Sequence, residues 1–504
     1  RRPDPTLPDA SFHGPRTFRD GAPRLTAWTK LALIAESWIT PIFCHLPMKT
    51  PLLSGIVLAT FLGTFAGWAQ TDDLGGVKVT LDDDQGAVTL RTELVEPFKL
   101  RIEVDAKGDA KPGVLLVDLP VSGRNVWPAA DVEVRDGDGK ALPVQRSGIE
   151  WHQLHIPLPA GAKTCVVQAV EPPGGWPKST SERERSIQDE ASGLRLRIAN
   201  WQDGREAALS IRFDDSHPTH LSKAVPILDE YGFRGTFMIN PGDAEPGSRR
   251  TSSFAEHRAA WEALATQGDH ELANHSAHHR GGLGDDDMEA EIGDAARAIW
   301  ALTPGRSQLM ALNLGGGTRW ETTRTLRYYL DKYHQFDAGA NSTGMDDSYG
   351  NRVENFRKML AQHLERGLWL RVHYHYIGDG LSSSEANFRA ALDIAKTHAD
   401  RLWIAGMTDI YQYQSERNAS KLTLVESGAR KLVFQLNCTT DAALYDEPLT
   451  IEVATPTGWD RQKVVIKDGE GSPVPARSAV VEGADGLRFE VAPRDGSYTI
   501  ELVP

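Results

Sequence analysis

The chain has 504 residues, more than one hydrophobic core usually serves, so two or three domains are expected. Its formal net charge of −14 argues against a nucleic-acid partner, which calls for a basic face, and against anionic membrane surfaces. Cys44, Cys165 and Cys438 are too few and too scattered for a disulfide framework or a thiolate zinc site, so any metal must rest on His and carboxylate ligands.

In chain order, residues 1–47 are rich in Pro and Arg and show no periodicity. They read as upstream sequence translated from a start placed too early, outside the fold. From Met48, one early lysine, an apolar stretch and small residues before Gln70 read as a secretory signal peptide over 48–69, cleaved after Ala69. The alternative is an amino-terminal membrane anchor, for which the apolar stretch is near the lower limit of length. The expected mature protein is therefore secreted, periplasmic or at the cell surface, with no stable membrane insertion after cleavage.

Residues 75–170 hold short alternating runs such as Phe98-Lys99-Leu100-Arg101-Ile102-Glu103-Val104 with turn punctuation, which predicts a β-sandwich-like domain. The Pro/Gly cluster at 171–177 and the polar stretch after it predict a linker over 171–194. Residues 195–420 alternate between the two periods. Strands are predicted at 208–213, 235–239, 309–312, 368–373 and 402–405. Helices are predicted at 221–231, 254–267, 288–302, 322–333, 353–366, 385–399 and 409–417. Repeated βα units imply a parallel sheet closed into a distorted (β/α) barrel, whose catalytic groups belong at the C-terminal ends of strands. Residues 421–504 return to short strands, a second β-sandwich-like flank. The expected fold class is thus α/β, a distorted barrel between two β-domains that scaffold or bind sugar.

Two segments carry chemistry. Arg212-Phe213-Asp214-Asp215-Ser216 closes an apolar run, so its carboxylates should emerge at a strand's C-terminal end. Asn274-His275-Ser276-Ala277-His278-His279 offers imidazoles four positions apart. One Asp with two His is a hydrolytic metal set that leaves room for water, and a second Asp is free to take that water's proton. Each part alone has a plainer reading. Adjacent aspartates at a strand end also make solvated turns or helix caps, and a histidine run is also a loop. His278 is a less regular substitute for His279. His217 and His220 read as the start of the next helix, and Trp320, Trp369 and Trp403 as core.

Taken in order, Ala-Leu-Ser-Ile-Arg-Phe-Asp-Asp, then Gly235-Thr236-Phe237-Met238, then Gly268-Asp269-His270-Glu271-Leu272-Ala273-Asn274-His275-Ser276-Ala277-His278-His279 resemble the polysaccharide deacetylases of carbohydrate esterase family four. The resemblance covers about 195–420. It implies Asp214 as general base, Asp215, His275 and His279 as ligands of one divalent metal, expected to be Zn²⁺, and an acetylated polysaccharide or oligosaccharide as substrate. The late segment Val372-His373-Tyr374-His375-Tyr376-Ile377-Gly378-Asp379-Gly380 resembles the family's final strand and implies His375 as the acid, with His373 as the fallback. The chain departs from the pattern at Ser216, which replaces Gly, and at the extra Asp269. In the place of an Arg-Pro-Pro-Tyr-Gly segment it has 309–320, where the first arginine is Arg319, beyond the glycines. Candidates for the aspartate that orients the acid are Asp337, Asp346 and Asp347. Two functions follow as expectations: an exported metal-dependent deacetylase of N-acetyl or O-acetyl groups, or a degenerate, non-catalytic glycan-binding protein on the same scaffold.

Overall fold

A computed structural model of the chain describes residues 74–504, apart from 83–87, 107–112, 121–124, 148–150, 173–174, 177, 243–253, 268, 316–317 and 340–341. The expected upstream stretch 1–47 and the signal peptide 48–69 lie outside the described residues. Among the described residues, no helix is long and apolar enough to cross a membrane.

The site is carried by an eight-stranded sheet. Its strands are β1 (Ala207–Phe213), β2 (Thr236–Ile239), β3 (Glu271–Asn274), β4 (Met310–Leu312), β5 (Gln335–Asp337), β6 (Ser342–Gly344), β7 (Trp369–Tyr374) and β8 (Leu402–Ile404). Every ladder is parallel, in the order β5-β4-β3-β2-β1-β7-β6, with β8 paired to the first half of β1. Among the described residues the outermost strands, β5 and β6, do not pair with each other, so the expected distorted barrel is an open one. All residues of β1 are buried, as befits a strand covered on both faces. Phe213 at its end stacks on Phe237 with centroids 4.9 Å apart and meets Phe388 edge-on at 5.7 Å. Aromatic packing of this kind fixes the exit of the chain from the strand.

Among the described residues seven helices cover the sheet: α1 (Val225–Tyr231), α2 (Arg258–Gln267), α3 (Asp285–Leu302), α4 (Leu326–Lys332), α5 (Arg352–Arg366), α6 (Glu385–Lys396) and α7 (Met407–Ala419). Each matches a helix expected from apolar spacing, with ends set by local chemistry. The expected helix at 221–231 opens as a π-helical turn, His220–Ala224, before α1. Thr325 and Ser384 accept hydrogen bonds from Tyr328 N–H and Asn387 N–H, so α4 and α6 begin behind a side-chain cap. β3, β5 and β6 are strands of three or four residues at which no strand is expected from the sequence.

The flanks are antiparallel except where Gly282–Leu283 joins Trp320–Thr322 in parallel. One buried apolar cluster, including Leu100, Ile102, Leu115 and Ile156, is shared by a four-stranded sheet with Lys99–Ala106 at its interior and by a six-stranded sheet. The six-stranded sheet runs from Lys78–Asp82 through Val144–Ser147 and then takes in Trp320–Thr322 and Gly282–Leu283 from the central region. At the other end, Leu432, Phe434, Ile451 and Phe489 fill the space between a four-stranded and a five-stranded sheet. The stretch 171–194, expected as a linker, contains the strand Ser186–Gln188. Arg195–Ile198, expected to open the barrel region, pairs with Leu449–Ala454 of the C-terminal sheet. Trp320 and Trp369 are buried as expected, the latter donating to Ser210 Oγ at 3.0 Å.

Candidate metal and acid–base site

Asp214 and Asp215 leave β1 at its C-terminal end, where Asp214 N–H still donates to Tyr374 O at 3.0 Å. The chain then turns sharply: Asp215 and Ser216 have φ of 80° and 51°. Such left-handed backbone is unfavourable away from glycine and is held by surrounding contacts, here by Asn240 N–H donating to Ser216 Oγ at 2.6 Å. The histidines leave β3 in the same manner. Asn274 Oδ1 accepts from Ser276 N–H at 2.8 Å, and Ser276 Oγ accepts from His279 N–H at 3.0 Å. That knot, with Ser276 and His279 at φ 64° and 54°, folds the segment back so that the His275 and His279 rings lie 4.6 Å apart.

Asp215 Oδ1 lies 3.4 Å from His275 Nε2 and 3.5 Å from His279 Nε2. The three donor atoms fall within 4.8 Å of one another, the one such cluster among the described residues. His275 Nδ1–H donates to Asn313 O at 2.7 Å, which leaves Nε2 with its lone pair toward Asp215. Tyr376 O–H donates to Asp215 Oδ2 at 3.0 Å, so the other carboxylate oxygen is oriented as well. One carboxylate and two imidazoles, with Asp215 and His275 steadied from behind, suit a divalent cation. His278 does not join them: its Nδ1–H and backbone N–H donate to buried Glu291 at 2.7 and 2.9 Å. Gly315 closes over the cluster with φ 74°, and a Cβ there would stand 2.3 Å from His279 Nε2.

Asp214 is buried beside this cluster. Burial pushes its carboxyl up, but Arg212 and the neighbouring His275, His373 and His375 outweigh that and bring it to about 2. The arginine in contact is Arg212, not Arg319: Nε is 2.9 Å from Asp214 Oδ1, and NH2 donates to Oδ2 at 3.0 Å. Residues two apart on a strand share a face, so the Arg-Phe-Asp order held this signal. Asn313 Nδ2 also donates to Oδ2, at 3.2 Å.

His375 follows β7, and its Nδ1–H donates to Asp346 Oδ2 at 2.6 Å. Burial lowers its pKa, yet the Asp346 bond and the charges of Asp214, Asp346 and Asp215 leave it above the ordinary value. His373 is deeper, within 2.9 Å of Ser342 Oγ, and burial together with Arg212 brings it to about 4, too low to carry a proton at neutral pH. Of the three candidate orienting aspartates, Asp346 is the one in contact. Asp337 accepts from Gly339 N–H, and Asp347 from Ser384 N–H and Asn387 Nδ2 at the start of α6. His220, set aside as a helix start, is fully buried and its Nε2–H donates to His375 O.

Residues 202–331 match the family model described as polysaccharide deacetylase. Over these residues the chain is similar to the polysaccharide deacetylases. The match takes in Asp214, Asp215, His275 and His279 and ends before Asp346 and His375. Over 403 residues the chain is 21% identical to a gellan lyase from a Bacillus species, covering 73% of this chain and 15% of that protein. The chain thus spans 15% of the length of the curated relative it matches. Among solved structures, a family 4 carbohydrate esterase from Streptomyces lividans in complex with acetate is 18% identical, covering 40% of this chain and 94% of that one, with a TM-score of 0.28. A family 4 pseudoenzyme from Bacillus anthracis is 12% identical over 45% of this chain and 88% of that one, with a TM-score of 0.29.

Proposed function

We propose that the protein is an exported, metal-dependent deacetylase that hydrolyses N-acetyl or O-acetyl groups of a polysaccharide. The observation that carries this reading is the Asp215–His275–His279 cluster with Asp214 on one side and the Asp346–His375 pair nearby. A divalent cation held by Asp215, His275 and His279, expected to be Zn²⁺, supplies a Lewis acid that acidifies water and polarises the acetyl carbonyl.

The residues of the chain then divide the proton work. Asp214 takes a proton from the attacking water, whose oxygen bonds to the carbonyl carbon as the C–N or C–O bond breaks. His375, protonated and aimed by Asp346, gives a proton to the departing nitrogen or oxygen. The products are acetate and a free amine or hydroxyl, with the proton from Asp214 restoring His375 through solvent. An acid above the ordinary histidine value beside a strongly ionised carboxylate supports this division of roles. The signal-like segment 48–69 supports export. The paired antiparallel sheets on either side support a reading of β-sandwich-like flanks that scaffold or bind glycan.

The test is acetate release from acetylated chitin oligomers, peptidoglycan and acetylxylan, before and after chelation and with metal restored. Activity lost on chelation, regained with zinc and absent in Asp214→Asn fits the proposal. Unchanged acetate release in Asp214→Asn overturns it.

A further inference from the structure

The polar contacts of Asp214 differ between its two oxygens. Oδ2 accepts from Arg212 NH2 at 3.0 Å and from Asn313 Nδ2 at 3.2 Å. A carboxylate oxygen has two lone-pair sites, so both of these are taken. Oδ1 is buried and lies 2.9 Å from Arg212 Nε, but the approach is too oblique to make a hydrogen bond. Arg212 is itself fixed from behind, its NH1 donating to Ala338 O at 2.7 Å beyond β5. Arg212 and Asp214 side chains are each only 4% exposed, so bulk water does not reorganise the pair. Asn313 binds in two directions: its side chain holds Asp214, and its backbone oxygen holds His275 Nδ1–H.

We propose that Arg212 is a positioning residue for the base: with Asn313 it pins Oδ2 of Asp214, so that Oδ1 is the atom that accepts the proton from water. In that step one O–H bond of water breaks, an O–H bond forms at Oδ1, and the water oxygen's electron pair goes to the carbonyl carbon as the C=O π pair shifts to the carbonyl oxygen, to return when the C–N or C–O bond breaks. The guanidinium matters because NH1, held by Ala338 O, fixes the plane from which NH2 donates to Oδ2, a placement that the flexible ammonium of a lysine reproduces only in part.

This inference rests on the deacetylase reading, and Asp214→Asn separates the two. Full activity in Asp214→Asn sinks the reading itself, whereas an inactive Asp214→Asn beside a fully active Arg212→Gln sinks only the role of Arg212. In the full-length, zinc-loaded protein, kcat is expected to fall about 100-fold in Arg212→Gln with KM and zinc content near wild type, the scale of a misplaced catalytic group. Arg212→Lys is expected to recover part of that loss, and Asn313→Ala to lose less than Arg212→Gln. Loss of zinc and of folded protein in step with activity in both Arg212 variants makes the residue structural only and overturns the proposal, as does a kcat within about twofold of wild type. A crystal structure of the zinc-loaded wild type gives a readout independent of the variants. Oδ2 on Arg212 and Asn313 with Oδ1 turned to the cation supports the assignment; the reverse arrangement overturns it.

Discussion

Asp346 holds His375 through both of its carboxylate oxygens: Oδ2 accepts from the ring Nδ1–H at 2.6 Å, and Oδ1 accepts from the backbone N–H of the same residue at 3.1 Å. The side-chain bond selects the tautomer with its other nitrogen free, and the backbone bond fixes the strand end that carries the ring. Ser383 Oγ donates to Oδ1 as well, at 3.1 Å, so the aspartate is held in turn.

The first prediction concerns this pair. The proposed acid works only while His375 is protonated, so activity should fall as pH rises through its pKa. Asp346 is among the causes that keep this pKa above the ordinary value. Asp346→Asn should therefore move the alkaline limb of the kcat/KM profile to lower pH, and lower kcat at the optimum about tenfold or more. A limb that stays in place counts against His375 as the titrating acid.

Tyr376 acts on the ligand side, donating to Asp215 Oδ2 from beneath the His217 ring, whose centroid is 4.2 Å from its own. Groups that orient a metal ligand are typically worth about 10–100-fold in metal affinity. Tyr376→Phe keeps the ring and removes only the hydroxyl. Chelator competition should show zinc affinity weakened about tenfold or more, with the fold intact by circular dichroism.

Gly315 has no space for a side chain. A methyl group there would meet His279 Nε2 at 2.3 Å, and the backbone at φ 74° disfavours any L residue. Gly315→Ala should displace His279 and lower the bound zinc per chain measured by elemental analysis, while Gly350→Ala, at φ 70° with open space around it, should leave zinc content unchanged.

A fourth prediction lies away from the site. Glu416 is fully buried, and among the described residues its Oε2 has no hydrogen-bond partner. Burial, the largest cause, pushes its carboxyl up to about 9. Between the ordinary carboxyl range and that value the unfolded chain gives up the proton and the folded chain keeps it, so stability falls as pH rises across this window. Glu416→Gln removes the titration. Thermal melts should show the variant gaining on wild type from pH 5 to pH 8, by roughly 2 °C or more.

The ligands and the base were legible because their residue types and spacing carry the chemistry directly. Asp214, Asp215, His275 and His279 are close in two short segments, the first at the end of a strand expected from its apolar run, the second after β3, where no strand is expected and the histidine spacing alone carries the signal. The supporting groups were harder to place. Asp346 was one of three candidates, and only the short strand β6, pairing with β7 beside His373, brings it under His375. Arg212 was in view but was read as part of a strand rather than as the partner of a residue two positions on. Tyr376 and His220 have no signal of their own, since their roles arise from contacts across more than 150 positions of sequence. The region boundaries blurred for a related reason: strands of two to four residues carry too little alternation to announce which sheet they join.

Those short strands bear on how the central domain can be handled and inherited. Trp320–Thr322 and Gly282–Leu283, which leave the Gly315 and His279 loops, are the last two strands of the amino-terminal sheet, and Arg195–Ile198 ends inside the carboxy-terminal one. A piece cut at 195 and 420 would carry these strands away from their partners, with bare backbone donors and acceptors ready to pair with other chains. The smallest piece that seals its own hydrogen bonds therefore includes both flanks, and recombination that exchanged one of them would also have to re-fit the walls of the metal site.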